Sequence, residues 1–296
     1  MTSEVTIVEV GPWEGLQCKE KYISVDKKIE LIRRISEAGV KKIVATSFAH
    51  PKFFPQFTDS EQVMGSLNCY SDTTYLAAVP NEIGCRRALA FGVKEVVVWV
   101  SASGTHNIRS LNVPIADTMK EIQLISEICK ENNVRIRSMI ATAFGCIYEG
   151  EIPITVVQEI ALKLNKLGCY EVCLTDTHGV ANPKEVRKRV GHLKRELPHI
   201  TFGVHFHDAR KMGMANVFAA IEEGISIFDA AVAGIGATPD MPGGSWDIPT
   251  EDLVFMFEEM GVHTGISLDK MSYCTDLAEK ITQRKLRRST RRGKVY

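Results

Sequence analysis

Two histidines separated by a single residue, His205 and His207, give the strongest chemical signal in this sequence. They end a run, Thr201–His207, that is typical of a β-strand, in which residues i and i+2 point to the same face. Two imidazoles that leave a sheet together can bind one metal ion. The alternative interpretation is that the His-x-His pattern only lines a polar surface, so the rest of the chain must supply further ligands.

Two acids are the candidates for those further ligands. Glu14 follows the first apolar run of the chain, and we predict that it joins the histidines, with Asp247 as a fourth group. Oxygen and nitrogen ligands without a thiolate suit a divalent metal ion. We expect Mg²⁺ or Mn²⁺ first, with Zn²⁺ or Co²⁺ as alternatives.

Asp176 and His178 give a second signal, which concerns proton transfer. Asp176 ends another predicted strand, where it could accept a proton or hold a substrate hydroxyl; alternatively it is a structural acid that binds loop amides. His178 follows on the same face, and an imidazole can exchange protons near neutral pH. The alternative for His178 is a solvated loop histidine. We predict catalytic roles for both residues.

An alternating pattern of strands and helices must position these side chains. Apolar, β-branched runs alternate with amphipathic segments, with a repeat of about thirty residues. The predicted strands are Thr6–Val10, Lys42–Thr46, Thr74–Val79, Glu95–Val100, Arg135–Ala141, Glu171–Thr175, Thr201–His207 and Ser226–Val232. The predicted helices are Val25–Ala38, Thr58–Leu67, Asn81–Phe91, Pro114–Glu131, Ile154–Leu167, Pro183–Glu196, Met212–Glu223 and Thr250–Met260.

Strands that alternate with helices in this way predict an α/β protein with a parallel (β/α)8 TIM barrel. An open, doubly wound sheet is the alternative. We expect one barrel domain over residues 1–266 and a C-terminal helical extension with a basic tail over residues 267–296. The active site of such a barrel lies at the carboxyl ends of its strands. Candidate substrate contacts at these ends are Trp13, Gln17, Thr46, His106, Arg109, Gly234 and Gly236.

Composition and charge exclude several classes of protein. The chain is 45% hydrophobic and 24% charged, which is typical of a globular protein and excludes disordered or coiled-coil proteins. The net charge is zero, which argues against a nucleic-acid partner. The segment from Arg284 to Lys294 nevertheless contains seven basic residues, and the remaining chain has a net charge of −7.

The sequence also bears on the compartment. The first ten residues have no features of a signal peptide, and no apolar run approaches the length of a membrane span. The eight cysteines are scattered and form no Cys-x-x-Cys pair, so we interpret them as reduced thiols. We therefore expect a cytoplasmic protein without a membrane partner.

The order of the strand-end motifs resembles the DRE-TIM metallolyase superfamily, and within it the 3-hydroxy-3-methylglutaryl-CoA lyases. The resemblance spans residues 6–267. The motifs that support it are Val10-Gly11-Pro12-x-x-Gly15-Leu16-Gln17, Ala45-Thr46-Ser47-Phe48, Gly145-Cys146-x-Tyr148-Glu149-Gly150, Asp176-Thr177-x-Gly179-Val180, His205-x-His207-Asp208 and Val232-Ala233-Gly234-Ile235-Gly236.

This resemblance implies a divalent cation held by an acid after strand one, by the two histidines and by a residue of the last loop. It also implies a small-molecule substrate, an acyl-CoA, whose hydroxyl and acyl oxygens chelate the metal. A base removes the hydroxyl proton, and the carbon–carbon bond breaks to give acetoacetate and the enolate of acetyl-CoA. A homodimer is implied by the resemblance alone.

Several reactive positions depart from the family pattern. Trp13-Glu14 stands where the family has Arg-Asp, and a tryptophan cannot give an oxyanion the hydrogen bonds of an arginine. The loop cysteine that the family uses in proton transfer becomes Thr238, which is therefore a candidate catalytic residue. The metal-facing asparagine becomes Asp247, and His106 and Arg109, in the loop after strand four, could replace lost groups.

We therefore predict a metal-dependent carbon–carbon lyase of the retro-aldol or retro-Claisen type with an altered substrate or chemistry. Its substrate would be a 3-hydroxy acid or a 3-hydroxyacyl-CoA, and Trp13 suits a less charged or aromatic one. The alternatives are a conventional lyase of the family, a Claisen-type condensing enzyme, and a non-catalytic barrel that binds a metal or a ligand.

Overall fold

Eight parallel strands close into a barrel in the order in which they occur along the chain. The computed structural model describes residues 2–17, 22–67, 72–236, 247–283 and 285–286. The first strand pairs with both the second and the last, which closes the sheet. The predicted TIM barrel is confirmed, and the open sheet is excluded.

Each predicted strand is present, and its ends are displaced by at most two residues. The strands are β1 Thr6–Glu9, β2 Lys42–Ser47, β3 Thr74–Ala78, β4 Glu95–Ser101, β5 Arg135–Ala141, β6 Glu171–Asp176, β7 Phe202–Phe206 and β8 Ile227–Ala230. The pattern is reliable here because a strand that is covered on both faces must be apolar along nearly its whole length.

The helices follow the prediction with one addition. They are α1 Val25–Glu37, α2 Ser60–Leu67, α3 Glu82–Ala90, α4 Gly104–Leu111, α5 Ile115–Glu131, α6 Ile154–Lys166, α7 Pro183–Glu196, α8 Gly213–Glu222, α9 Thr250–Glu259 and α10 Leu268–Thr282. Three single turns complete the described elements: Gly11–Gly15, which is π-helical, and Pro55–Phe57 and Val232–Gly234, which are 3₁₀.

The addition is α4, which carries His106 and Arg109, so the prediction that these residues lie in a loop was wrong. Its sequence contains few strong helix formers, which is why the pattern did not indicate a helix. Side chains hold the turn instead. The Ser103 hydroxyl accepts a hydrogen bond from the His106 amide at 3.1 Å, and the Asn107 side chain accepts one from the Ser101 amide at 3.0 Å.

The lower part of the barrel interior is filled by ion pairs. Lys42 on β2 contacts the carboxylate of Glu95 on β4 at 3.1 Å and the hydroxyl of Tyr170 at 2.6 Å. Because β2 and β4 are not neighbours, this contact crosses the interior. Above it, Arg137 on β5 binds Glu171 on β6 at 2.8 Å and Asp229 on β8 at 2.6 Å, and all three are fully buried. These charges close the floor beneath the strand ends.

The C-terminal helix α10 packs against α1 and α9, and the Thr275 hydroxyl on α10 donates a hydrogen bond to Glu251 on α9. A helical extension is thus present, while the domain boundary at residue 266 stays a prediction. Of the seven basic residues in the tail, only Lys285 lies among the described residues. The six described cysteines are free thiols, and no helix of the described part is long and apolar enough to cross a membrane.

Candidate metal centre

Four buried side chains meet at the carboxyl ends of the strands, namely Glu14, His205, His207 and Asp247, and their ligand atoms lie within 4.8 Å of one another. Asp247 Oδ1 is 2.9 Å from Nε2 of His207 and 3.3 Å from Nε2 of His205. Glu14 Oε2 is 3.6 and 3.7 Å from the same two nitrogens. The structure therefore brings together the four residues that the sequence predicts as metal ligands.

The backbone elements that carry the four side chains direct them toward one another. The inward-facing His205 lies on β7, and His207 follows the end of that strand and forms a bridge with Asp247. Glu14 lies in the π-helical turn that follows β1. Gly236 leaves the space for Asp247, because a Cβ atom at this position would meet the Asp247 carboxylate.

Outer contacts fix the tautomers of the two imidazoles. His207 Nδ1 is 2.7 Å from the carbonyl oxygen of Thr177, which can only accept, so Nδ1 carries the proton. His205 Nδ1 is 3.2 Å from Asp229 Oδ2, and Arg137 outweighs the effect of burial to hold the pKa of Asp229 below its ordinary value. Nε2 is therefore the nitrogen of each ring that faces the cluster and that would ligate a metal ion, as in metal-binding histidines.

This donor set fits a divalent cation. The two Nε2 atoms are 3.2 Å apart, and Asp247 Oδ1 lies 2.9 Å from one and 3.3 Å from the other. A buried carboxylate that faces two imidazole nitrogens is favourable only with positive charge there, which protons or a metal ion can supply. A metal ion with nitrogen and oxygen ligands supplies that charge.

The electrostatics of the cluster point the same way. Burial lowers the pKa of His207, but Asp247 and Glu14 outweigh this effect and raise it to about 9. Burial raises the pKa of Asp247, and His205 and His207 lower it to about 2. The carboxylates thus stabilise positive charge among these four side chains.

Asp176 lies at the end of β6 and is fully buried. Its two carboxylate oxygens accept hydrogen bonds from the amides of Val180 at 2.9 Å and Ala181 at 3.0 Å. Burial raises its pKa, and these two amides and the nearby His207 oppose the shift. Asp176 therefore holds its own loop, as the alternative interpretation states, and its catalytic role stays a prediction.

His178 is fully buried rather than solvated. Its ring makes edge contacts with His106 on α4, at 5.3 Å between centroids, and with Tyr148, at 5.8 Å. The guanidinium of Arg109 lies 4.6 Å from the centre of the Tyr148 ring. The structure thus brings three predicted residues into one stack. Tyr148 was not predicted as a site residue, although the Gly-Cys-x-Tyr-Glu-Gly motif contains it.

Two tryptophans face each other at the mouth of the barrel. Trp13, in the turn after β1, and Trp99, on β4, have ring centroids 5.8 Å apart. Because β1 and β4 are not neighbours in the closed sheet, this contact crosses the interior. Trp13 was predicted as a substrate contact, whereas Trp99 was missed. The sequence could have indicated Trp99, because it lies four residues after Glu95 on β4, and an even spacing places both side chains on the same, inner face of the strand.

The other predicted contacts have different surroundings. The Thr46 hydroxyl is buried and 2.8 Å from the hydroxyl of Ser60 on α2, so it joins strand to helix. Gln17 follows the turn that carries Glu14, and Gly234 has a positive φ of 65° close to the Asp247 carbonyl. Their roles as substrate contacts stay predictions, and Thr238 lies outside the described residues.

Two buried acids that the sequence analysis missed tie the site to its scaffold. Glu9 accepts hydrogen bonds from the amides of Gly11 at 2.9 Å and Val232 at 2.8 Å. Glu251 accepts one from the amide of Ala233 at 2.9 Å. Burial raises the pKa of Glu9 to about 8 and that of Glu251 to about 7, against their hydrogen bonds. The sequence could have indicated Glu9, because an acid within an otherwise apolar strand is unusual.

Comparison with known proteins relates this barrel to one family. The HMGL-like family model matches residues 4–277. The mitochondrial hydroxymethylglutaryl-CoA lyase of Homo sapiens is 36% identical over 271 residues, which are 92% of this chain and 83% of that protein. A hydroxymethylglutaryl-CoA lyase of Bacillus subtilis is 36% identical over 268 residues, which are 90% of each chain.

Solved structures agree with this relationship. The crystal structure of the Bacillus subtilis HMG-CoA lyase superposes with a TM-score of 0.93 at 35% identity and covers 96% of both chains. An HMG-CoA lyase from Acinetobacter baumannii, in complex with coenzyme A and 3-methylmalate, gives a TM-score of 0.91 at 35% identity. It covers 97% of this chain and 94% of that one.

Proposed function

Because the chain belongs to the HMGL-like family, we propose that it is a metal-dependent carbon–carbon lyase that cleaves a 3-hydroxy acid or its CoA thioester between C2 and C3. The observation that carries this proposal is the buried donor set of two imidazoles and two carboxylates, with Nε2 atoms 3.2 Å apart. Such a set at the carboxyl ends of barrel strands is placed where TIM-barrel enzymes perform their chemistry.

In this proposal Glu14, His205, His207 and Asp247 hold the ion. A bound divalent cation supplies Lewis-acid polarisation of the substrate's hydroxyl and acyl oxygens. Two carboxylates and two imidazoles favour Mg²⁺ or Mn²⁺, and Zn²⁺ or Co²⁺ would also find suitable ligands. Asp229 orients His205 from behind, because its carboxylate fixes the proton on Nδ1.

Asp176 and His178 keep the predicted proton-transfer roles. Each oxygen of Asp176 accepts one amide, so it retains a further lone pair for the proton of the substrate hydroxyl. The raised pKa of this carboxyl brings it closer to the range in which a general base is effective. We assign the second proton transfer, to the carbon left by cleavage, to His178.

The CoA thioester is the more specific form of the proposal. Relatives are named hydroxymethylglutaryl-CoA lyases, and one solved relative binds coenzyme A. We extend this chemistry to the present chain, whose alignments cover most of both proteins. We also propose a homodimer in the cytoplasm, the location supported by the free thiols of the described cysteines. Light scattering and cell fractionation test these two statements.

A cleavage assay over 3-hydroxyacyl-CoA and free 3-hydroxy acids, with added Mg²⁺ or Mn²⁺, tests the function. We expect turnover that requires the metal, and we expect His205→Ala to abolish both turnover and metal binding. His263→Ala is the matched control, because the side chain of His263 is 73% exposed and far from any role in this proposal. Intact turnover in His205→Ala would show that the metal mechanism is wrong.

A pH–rate profile tests His178 separately. His178→Gln keeps a planar, polar side chain but cannot shuttle a proton near neutral pH. We expect the profile to lose one limb and kcat to decrease by roughly 10²–10⁴-fold, the usual contribution of general acid–base catalysis. A profile that is identical in this variant would remove His178 from the mechanism.

A further inference from the structure

We propose that the substituent which the substrate carries at C3 is apolar, either aromatic or branched alkyl, and that it packs on the pair formed by Trp13 and Trp99. This inference rests on the proposed lyase function and names its substrate class. It starts from the contact between the two indoles, whose ring centroids are 5.8 Å apart and whose planes are tilted by 46°.

The position of this indole pair makes it a wall of the substrate site. Trp13 directly precedes Glu14 in the turn after β1, and Trp99 reaches it from β4 across the interior. Trp99 is only partly buried although it lies on the inner face of the barrel, so its free surface faces the mouth. An indole surface at the mouth binds an apolar group well and a carboxylate poorly.

The cations of the interior are already engaged. Arg137 donates to Glu171 through Nε and to Asp229 through both terminal nitrogens. Lys42 pairs with Glu95 on the floor of the barrel. Neither side chain can bind a second carboxylate of a substrate without giving up a buried acid, which is strongly unfavourable.

Two arginines at the rim of the mouth are also occupied. Arg210 donates to the carbonyl oxygens of His178 at 2.8 Å and Gly179 at 3.0 Å. Arg109 lies over the ring of Tyr148. In the described part of the chain, these two arginines therefore serve the loops and the aromatic stack rather than presenting an open pocket for an anion.

The charge of the metal ligands adds to this preference. With a divalent ion bound, the two carboxylates of Glu14 and Asp247 would balance its charge, and His205 and His207 would add none, because their Nε2 lone pairs would ligate it. A balanced centre attracts an anionic substituent less than one with a single carboxylate ligand would. Charge and shape therefore favour the same class of substrate.

The reaction on such a substrate balances without a further reagent. The C2–C3 bond of the 3-hydroxyacyl thioester breaks, and its electron pair stays on C2 as the thioester enolate. The hydroxyl on C3 loses its proton and becomes the carbonyl of a ketone that carries the apolar group. C2 then takes up one proton to give the shortened acyl-CoA, with no net oxidation or reduction.

Two matched substrates test the proposal. 3-Hydroxy-3-phenylbutanoyl-CoA and 3-hydroxy-3-methylglutaryl-CoA differ only in a phenyl or carboxymethyl group at C3, and both release acetyl-CoA. With the complete chain and Mn²⁺, we expect the phenyl compound to have a kcat/KM higher by roughly 10- to 100-fold. We expect Trp13→Arg to reverse this preference because it adds a cation, and Trp13→Phe to change it by less than about threefold.

Binding measurements separate this inference from the proposed function. Calorimetry with 3-phenylbutanoyl-CoA and 3-methylglutaryl-CoA, which lack the hydroxyl and cannot be cleaved, needs no turnover. Equal or tighter binding of the glutaryl compound by the unaltered protein would overturn the inference while leaving the lyase function intact. Failure of the unaltered protein to cleave either hydroxyacyl compound would instead count against the proposed function, and the calorimetric preference would still decide the role of the indole pair.

A second variant protects the test against misfolding, because Trp13 is only 7% exposed and an arginine there could disturb the turn. Trp99→Leu removes the other indole and keeps an apolar side chain. We expect it to weaken binding of the phenyl analogue by about tenfold and to leave binding of the glutaryl analogue within about threefold. A parallel loss for both analogues would contradict a specific role for the indole pair.

Discussion

Four buried acids lie at the same end of the barrel and come from two segments of the chain. Glu9 ends β1 and Glu14 lies in the turn after it, whereas Asp247 precedes α9 and Glu251 lies in its first turn. Glu14 and Asp247 face two imidazole nitrogens, and Asp247 Oδ1 lies 2.9 Å from Nε2 of His207. Glu9 and Glu251 instead accept hydrogen bonds from backbone amides and threonine hydroxyls.

This difference in partners separates two functions that burial alone would not distinguish. An acid that is surrounded by donors stabilises the backbone that carries those donors. An acid that faces imidazole nitrogens requires positive charge there, which protons supply without metal and a divalent cation supplies when it is bound. Glu9 and Glu251 therefore hold the segments that follow β1 and β8 in place, and Glu14 and Asp247 are placed to bind a metal ion.

The strongest test of this comparison is Asp247→Ala. We expect metal affinity to decrease by more than about 100-fold, since changes of outer groups alone cost 10- to 100-fold. The free energy of unfolding without metal should also decrease, because His205 and His207 outweigh burial to hold the pKa of Asp247 at about 2, and this charge pairing is lost. Calorimetry with Mn²⁺ and denaturant unfolding in EDTA measure the two quantities. Unchanged Mn²⁺ affinity in Asp247→Ala would place Asp247 with the positioning acids.

Glu251→Ala should instead leave the metal ligands in place and affect mainly the stability of the fold. It leaves the Ala233 amide and the Thr275 hydroxyl without their acceptor, so we expect the metal-free protein to lose about 1–3 kcal/mol of unfolding free energy. Metal affinity should decrease less than in Asp247→Ala, because all four ligands remain. Urea unfolding in EDTA measures the first effect. If Glu251→Ala abolishes metal binding but not stability, the distinction between the two pairs is wrong.

Gly236→Ala tests whether metal binding depends on the position of the Asp247 carboxylate. A Cβ atom at this position would contact the Asp247 carboxylate, so the acid must shift away from the imidazoles. We expect a decrease in metal affinity of roughly tenfold. Gly65→Ala on α2 is the control, because its nearest neighbour is 3.9 Å away and alanine suits a helix. Unchanged Mn²⁺ binding in Gly236→Ala would show that Asp247 is free to adjust.

The effect that is smallest at any single pH step is the pH dependence that Glu9 causes. Its pKa is about 8 in the fold against an ordinary value of 4.5, so between these values the folded protein keeps a proton that the unfolded chain has lost. The unfolding free energy should therefore decrease as pH rises across this window, by about 1 kcal/mol per pH unit from this residue. Glu9→Gln should flatten the slope in urea titrations at successive pH values.

Glu258→Gln is the control for that measurement. The side chain of Glu258 is 42% exposed, and hydrogen bonds from Thr264 lower its pKa, so it should not contribute to a slope between pH 5 and pH 8. An equal flattening in both variants would contradict the assignment of the slope to Glu9.

Local patterns predicted much of the fold and the centre of the site. Runs of apolar residues located every strand, because each is buried on both faces. The relationship to the HMGL-like family, and with it the barrel, is confirmed. The four ligands came from strand ends and from the resemblance, since both specify positions along the chain rather than distances in space.

Two of the residues that were not predicted have partners that lie far from them along the chain. Trp99 becomes part of the mouth only because Trp13 reaches it across the barrel. Asp229 orients His205 and pairs with Arg137, which is 92 positions away. Helix α4 was missed for a different reason, because its own residues have weak helix propensity and neighbouring side chains hold it.

The sequence by itself determined the order of elements, the His-x-His pair and the acids available to it, because periodicity and spacing are properties of short segments. Only the tertiary structure decided which of the four acids Glu9, Glu14, Asp247 and Glu251 face the imidazoles and which hold the backbone. The physical reason is that the role of a buried acid is set by the donors and lone pairs around it. Those neighbours come from strands that meet only when the barrel closes.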